Sequence, residues 1–231
     1  ARLSIIDIEG GKQPNFNENQ EIASVFNGEI YNFQTLQNEL RKKGHVLTSN
    51  SDAEIIPHLY EEYGEEFPRK LQGMFAIALY DLRNKRLYLV RDRLGKKPLW
   101  YSFESNRVAF CSEIKGLLEL GVAREFDETT LTEYLQFGFI NTPNSAFRSI
   151  SQVNPATFIV FENGEVTEKR YWSPIDREIR EISWNRVVQE SSLRIREAVR
   201  DRLISERPLG VFLSGGIDSS LVAAYALEEL G

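Results

Sequence analysis

The sequence predicts an α+β domain over residues 1–174, a linker over 175–182 and the beginning of an α/β domain over 183–231. Three observations carry this. Short apolar or alternating runs bounded by Gly, Asn and Asp are interleaved with helical patterns as far as Trp172. The composition then turns polar, and a long amphipathic helical pattern starts at Trp184. Finally, an apolar run at 209–213 enters a glycine pair and another helical pattern, the order of an α/β unit.

With 231 residues and 42% hydrophobic content the chain can bury a sizeable core. A net charge of −6 and a sequence pI near 5.2 exclude a protein that grips nucleic acid or an anionic membrane through bulk positive charge, leaving small molecules or proteins as partners. Cys111 is the single cysteine, so no internal disulfide forms and a reducing, cytoplasmic setting is expected. Two histidines, His45 and His58, fall short of the usual zinc ligand sets, and no structural zinc site is expected. No apolar run approaches a membrane span and no signal-peptide pattern opens the chain. Both ends, Ala1 and Gly231, read as cuts.

Residues 1–8 read as a short strand closed by Gly10-Gly11, with Arg2 either a solvated arginine or a two-pronged carboxylate clamp. The run 22–26 is a strand that delivers Asn27-Gly28-Glu29. Asn-Gly alone signals a hairpin turn. The same residues also suit a polar ligand: the Asn27 amide and the Gly28 N–H can donate to an oxyanion, and Glu29 can face an ammonium. Asn32 caps a helix with Phe33, Leu36 and Leu40 at helical spacing, ended by Gly44. Ser51-Asp52-Ala53-Glu54 matches a capping box, so a second helix follows Ser51, with Asp52 a first-turn acid and Pro57 a point for a bend.

The nearly all-apolar run 73–80 fits a strand covered on both faces, and 86–90 returns as its hairpin partner in mid-sheet. The charged stretch 91–99 reads, alone, as a solvated turn. Strands at 100–103 and 107–110 and a helix at 112–120 follow, with Cys111 an inert buried thiol. A helix at 129–137 and a strand pair, 156–161 with 165–172 around Asn163-Gly164, complete the first region. Beyond the linker, Trp184, Val187, Val188, Ile195, Ala198, Val199 and Leu203 share one helix face.

At 209–213 an apolar strand runs into Ser214-Gly215-Gly216-Ile217-Asp218-Ser219-Ser220 and a helix over 221–230. That arrangement points backbone N–H groups and a helix N-terminus at phosphate, with the three serines adding hydroxyls. Asp218 would repel a phosphate unless a cation such as Mg²⁺ lies between; otherwise it caps the helix. No lysine follows the glycines, so this is neither a Walker loop nor a dinucleotide GxGxxG. It resembles the pyrophosphate-gripping loop of enzymes that adenylate a substrate with ATP.

Asn27-Gly28-Glu29-Ile30-Tyr31-Asn32, Arg91-Asp92-Arg93-Leu94-Gly95-Lys96-Lys97-Pro98-Leu99, Ser112-Glu113-Ile114-Lys115 and 214–220, in that order, resemble the glutamine-hydrolysing (type B) asparagine synthetases over almost the whole chain. The resemblance implies a class II glutamine amidotransferase domain of the N-terminal-nucleophile hydrolase type, an αββα sandwich, followed by the start of an ATP-pyrophosphatase domain. It implies that Arg2 binds the glutamine α-carboxylate, with Leu3, Ser4, Ile5 and Ile6 lining the pocket. Glu29 and Asp52 would hold the α-ammonium, and Asn27 with the Gly28 N–H would form the oxyanion hole. Leu213, Ser214, Gly215, Gly216, Asp218, Ser219 and Ser220 would bind ATP, with Mg²⁺. The implied chemistry is ammonia release from glutamine, adenylation of the aspartate β-carboxylate and attack by the ammonia. Glutamine, aspartate and ATP are the implied substrates, and a homodimer is an admissible assembly.

Two departures qualify that likeness. The family's nucleophile is an N-terminal cysteine whose own α-amine is the base. Ala1 stands first here, inside the family pattern, and Cys111 falls in a different motif without that amine, so the chain as given is expected not to hydrolyse glutamine. The second part holds one βα unit, with a sheet edge and an apolar helix face uncovered and no acceptor pocket. Two other readings stay open: an amidotransferase relative acting on another acid or on a sugar-linked acceptor in cell-surface polysaccharide assembly, and an inactive amidotransferase-like binding module.

Overall fold

The computed structural model describes residues 12–175, 181–206 and 208–231. The strand expected at 1–8, and with it Arg2, Leu3, Ser4, Ile5 and Ile6, lies outside the described residues. In chain order the elements are β1 (Asn15–Phe16), β2 (Ile22–Ile30), α1 (Phe33–Lys42), α2 (Ile55–Tyr63), α3 (Phe67–Lys70), β3 (Gly73–Asp81), β4 (Arg86–Arg91), β5 (Trp100–Glu104), β6 (Arg107–Cys111), α4 (Ile114–Glu119), α5 (Glu128–Phe137), β7 (Ser151–Gln152), β8 (Thr157–Glu162), β9 (Glu165–Arg170), α6 (Trp184–Arg200) and α7 (Ile217–Leu230).

Two antiparallel sheets stack, one ordered β1-β2-β3-β4-β8-β9 and the other β6-β5-β7. Because side chains alternate across a strand, the larger sheet feeds two cores. On one face Ile22, Ile30, Phe75, Ile77, Leu79, Tyr88, Val90, Phe158 and Val160 meet Phe33, Leu36 and Leu40 of α1 and Ile55, Ile56 and Leu59 of α2. On the other, Ala76, Ala78, Leu89, Ile159 and Phe161 meet Tyr101 and Phe103 of β5. The small residues Ala76 and Ala78 face the second sheet, so the two sheets can approach closely, while bulky Ile and Leu fill the helix side. The apolar run 73–80 is therefore covered twice, as its composition demands. Each fully buried side chain of that kind contributes about 1.5–3 kcal/mol. α4 packs on β5 and β6, giving the second helical layer of the αββα sandwich.

Several local expectations need correction. β2 does not stop at Phe26: Asn27 and Gly28 continue the strand, paired with Ala76 and Phe75 of β3, and are no hairpin turn. The glycine serves close approach instead, since a Cβ on Gly28 would lie 2.0 Å from the Met74 carbonyl oxygen. Asn32 occupies the N-cap position of α1 without capping it. Its side chain donates to the Lys70 carbonyl at 2.9 Å and accepts the Gln72 N–H at 3.0 Å, fastening the start of α1 to the approach to β3. The capping box is not formed. α2 begins at Ile55; Ser51 Oγ accepts from the Ala53 N–H, and the Glu54 carboxylate accepts the backbone N–H and hydroxyl groups of Thr48 and Ser49. Pro57 falls in the first turn of α2, where its missing N–H costs no helical bond, and the helix runs through it.

In the C-terminal part α6 and α7 pack together through Arg196 with Glu228 at 2.5 Å and Ser192 Oγ with the Tyr225 hydroxyl at 2.7 Å. The strand expected at 209–213 does not form. A strand exists only against a partner edge, and none of the described residues supplies one. α7 starts at Ile217 rather than at 221, which places Asp218, Ser219 and Ser220 in its first turns.

Candidate functional site

Near its C-terminal end β2 has no strand partner on the edge away from β3 among the described residues. The Phe75 N–H donates to Asp92 Oδ2 and its carbonyl accepts the Asp92 N–H, so both point away from β2. Gly28, directly opposite Phe75, is therefore in a non-hydrogen-bonded pair, and its own N–H points off the other side of the strand. Its neighbours two residues away obey the same alternation: the Phe26 N–H donates to Gln13 Oε1 at 2.7 Å and the Ile30 N–H to Asp52 Oδ2 at 2.9 Å. Between them the Gly28 N–H has no acceptor among the described residues. Adjacent to it Asn27, across from Ala76 on the face towards the second sheet, donates through Nδ2 to Ser112 Oγ at 3.2 Å. The Ser112-Glu113-Ile114-Lys115 motif thus acquires a role: its first residue orients the Asn27 amide.

Glu29 and Asp52 come within each other's field from different elements, β2 and the turn before α2. Glu29 is 9% exposed and Asp52 6%. Burial, and then the charge of Asp52, raise the Glu29 carboxyl above its usual range, while Arg202 and Lys97 oppose the rise. Sequence reasoning missed both cations. Lys97 lies in a motif that could have flagged it; Arg202 follows α6 with no local signal, yet its guanidinium lies over the Tyr31 ring at 4.4 Å.

The 91–99 stretch is not a solvated turn. Arg91 and Asp92 are buried. The Arg91 guanidinium donates to the carbonyls of Gly95, Lys97 and Val153 at 2.7–2.9 Å. The Asp92 carboxylate accepts the N–H groups of Phe75, Leu94, Lys96 and Lys97. Two fully engaged charges thus fold the loop into a strut that fixes Phe75 opposite Gly28 and brings the charge of Lys97 within the field felt at Glu29. Cys111 is half-buried rather than buried, and its sulfur sits against α4 where Gly116 leaves room; a Cβ there would lie 2.3 Å away.

The glycine loop forms a separate, exposed cradle. Gly215 has φ +81°, a left-handed conformation suited to glycine, and nothing lies within 4 Å of where its Cβ would stand. Ser214 Oγ and Ser219 Oγ are 2.9 Å apart, and Ser219 Oγ also donates to the Gly216 carbonyl. α7 has no side-chain cap at its N-terminus, which leaves first-turn N–H groups for an anion. Leu213 and Asp218 are exposed beside them.

A family model described as a glutamine amidotransferase domain matches residues 1–172, and one described as asparagine synthase matches residues 192–231. The chain is 36% identical over 228 residues to asparagine synthetase (glutamine-hydrolyzing) 1 of Bacillus subtilis, covering 98% of this chain and 36% of that protein. It is 34% identical over 230 residues to Amidase chry2 of Gibberella zeae, covering 96% of this chain and 33% of that protein. The chain therefore spans about a third of the length of the curated relatives it matches. Among solved structures, glutamine phosphoribosylpyrophosphate amidotransferase from B. subtilis, complexed with ADP and GMP, matches with a TM-score of 0.52 at 16% identity, over 94% of this chain and 47% of that one. That likeness is one of fold.

Proposed function

Because this chain belongs to the glutamine amidotransferase domain family, with the αββα fold of its class II members and an asparagine synthase match at its end, we propose that the intact protein, with the family's N-terminal cysteine, releases ammonia from glutamine at the β2 edge for an ATP-driven amidation of aspartate. The observation that carries the reading is the Gly28 N–H, directed off the strand beside the Asn27 amide. Two donors that need no rearrangement can then receive the oxyanion formed when a nucleophile adds to the glutamine amide carbon.

Glu29 and Asp52 serve the α-ammonium: two neighbouring buried carboxylates repel one another until a cation lies between them. Arg2, with residues 3–6, is assigned the α-carboxylate through the family likeness. Cys111, tucked against Gly116, is not the nucleophile. Ser214, Gly215, Gly216, Ser219 and Ser220 grip the ATP pyrophosphate, with Leu213 near the nucleotide. The open cradle, the serine hydroxyls and the uncapped start of α7 fit that anion. Asp218, a carboxylate in the first turn, would hold Mg²⁺, which supplies charge neutralisation between it and the phosphates. The amidotransferase part is set at 1–174, the linker at 175–182 and the synthetase part at 183–231. A cytoplasmic location, supported by the single cysteine, and a homodimer belong to the same reading.

A second reading, another acid or a sugar-linked acceptor in place of aspartate, is favoured by the amidase relative of nearly equal identity. Incubating the full-length protein with amide-labelled glutamine, ATP and either aspartate or alternative acceptors separates them. The expected products are labelled asparagine, AMP and pyrophosphate. Labelled amide on another acceptor, with none on aspartate, selects the second reading, and a protein that liberates no ammonia from glutamine overturns both.

A further inference from the structure

Both histidines converge on one carboxylate away from the glutamine site. Glu18 lies in the β1–β2 connection, before the N-terminal end of β2, His45 just after α1 and His58 on α2, whereas Asn27 and Gly28 lie in the C-terminal half of β2. His45 Nδ1 is 3.1 Å from Glu18 Oε1, and His58 Nδ1 is 3.2 Å from Glu18 Oε2. The two Nδ1 atoms are 3.3 Å apart.

With Glu18 a carboxylate, as the Val46 N–H donated to it favours, no placement of protons on the two rings satisfies all three contacts. If both Nδ1 atoms carry hydrogen, the nitrogen pair sets two donors against each other. If only one does, the other Nδ1 turns a lone pair towards carboxylate oxygen. A cation in the middle relieves every contact at once. The nitrogen–nitrogen separation is also the one a metal requires, because bonds of 2.0–2.1 Å at tetrahedral angles put neighbouring ligand atoms about 3.3 Å apart, and the carboxylate straddles the same gap with one oxygen towards each ring.

The surroundings fit such an ion. The far nitrogen of His45, Nε2, lies 3.2 Å from Glu62 Oε1, and the other Glu62 oxygen is held by Lys43 Nζ at 2.5 Å. A carboxylate so placed fixes the proton on Nε2 and turns the Nδ1 lone pair inward, the usual support for a metal-bound imidazole. Glu18 Oε1 is steadied by the Val46 N–H at 2.8 Å. Glu18 and His58 also line a cavity of about 320 Å³, which has room for a water as the fourth ligand.

We propose that Glu18, His45 and His58 form a binding site for a divalent transition-metal ion, zinc by its preference for two imidazoles and one carboxylate in tetrahedral geometry. The two-histidine count that argued against zinc in the sequence left the carboxylate out. The ion would staple the β1–β2 connection to α1 and α2, and it takes no part in glutamine chemistry, so the site stands or falls independently of the proposed function.

The test is titration of the full-length protein, carrying Cys111→Ser to remove the thiol, with Zn²⁺ in competition with a fluorescent chelator, and with Co²⁺ followed by visible absorption. Saturable binding at this site with the intense spectrum of tetrahedral Co²⁺ is expected. Glu18→Gln and His45→Gln should abolish it, while Glu62→Gln weakens it about 10–100-fold. Metal-free melting temperatures of the variants, compared with the metal-free parent, separate a lost ligand from an unfolded chain. Absence of binding by the parent protein, an octahedral Co²⁺ spectrum, or undiminished affinity in folded Glu18→Gln would overturn the site.

Discussion

In the proposed mechanism Asn27 and Gly28 share the oxyanion task through different atoms, and only the Asn27 donor can be deleted without touching the backbone. Asn27→Ala in the full-length protein should therefore lower glutamine-dependent turnover by about 2.7–4 kcal/mol of transition-state stabilisation. Synthesis driven by added ammonia should persist, and equal loss of both would place Asn27 elsewhere in the mechanism. Glu29 makes a prediction of the opposite sign for stability. Its folded pKa is raised, so its contribution to stability is complete below the ordinary glutamate value and is lost as pH rises through the raised one. At neutral pH its charge burdens the ligand-free fold. Glu29→Gln should raise the melting temperature at neutral pH, by a margin that shrinks on acidification, while the KM for glutamine rises sharply. A variant that melts lower at neutral pH would contradict the assignment of a strained acid pair. In the sequence the residue types at 27–29 were legible as donors and acid. What was not legible was that Asn-Gly continues a strand, because the reason, the Met74 carbonyl 2.0 Å from a would-be Cβ, comes from a segment more than forty residues away.

Elements were readable where their signal is periodic. The 73–80 run, the 86–90 return and the α1 stripe of Phe33, Leu36 and Leu40 appear as expected, since burial on a strand or helix face leaves its own spacing. The failures are non-local. Ser51 and Glu54 carry the letters of a capping box but find better partners in Ala53, Thr48 and Ser49, and 209–213 has strand composition without a neighbouring edge. The 91–99 loop is the clearest case, because charged letters signal solvent and here they are the fasteners. Asp92 receives four backbone N–H groups, so Asp92→Ala strands buried donors and should cost at least about 3 kcal/mol in urea unfolding. Asp92→Asn, which keeps one acceptor oxygen, should cost less. If the two variants were equally mild, the loop would not be held by this carboxylate.

At the scale of the molecule, the part matched by the glutamine amidotransferase model is not electrostatically self-contained. Arg202 belongs to the C-terminal stretch, beyond α6, yet it covers Tyr31 and lowers the proton affinity of Glu29 against the combined push of burial and Asp52. The proposed ammonium pocket is thus tuned by a residue from the part of the chain that the synthase model matches. Nothing in the local pattern around Arg202 distinguishes it from the exposed arginines of α6 that precede it, so this coupling exists only once the two parts are folded together. The consequence concerns pH. In the proposed mechanism glutamine binding by an ion-paired pocket requires Glu29 ionised, so activity is expected to fall on acidification through the Glu29 pKa. Removing the positive charge with Arg202→Met lets that pKa rise further. The acidic limb of the profile of glutaminase kcat/KM against pH should therefore move to higher pH, with the alkaline limb unchanged. Arg202→Lys, which keeps the charge, should restore the parental profile. A shift of both limbs, or a Lys variant that behaves like Met, would mean that Arg202 acts by packing on Tyr31 rather than by its field at Glu29.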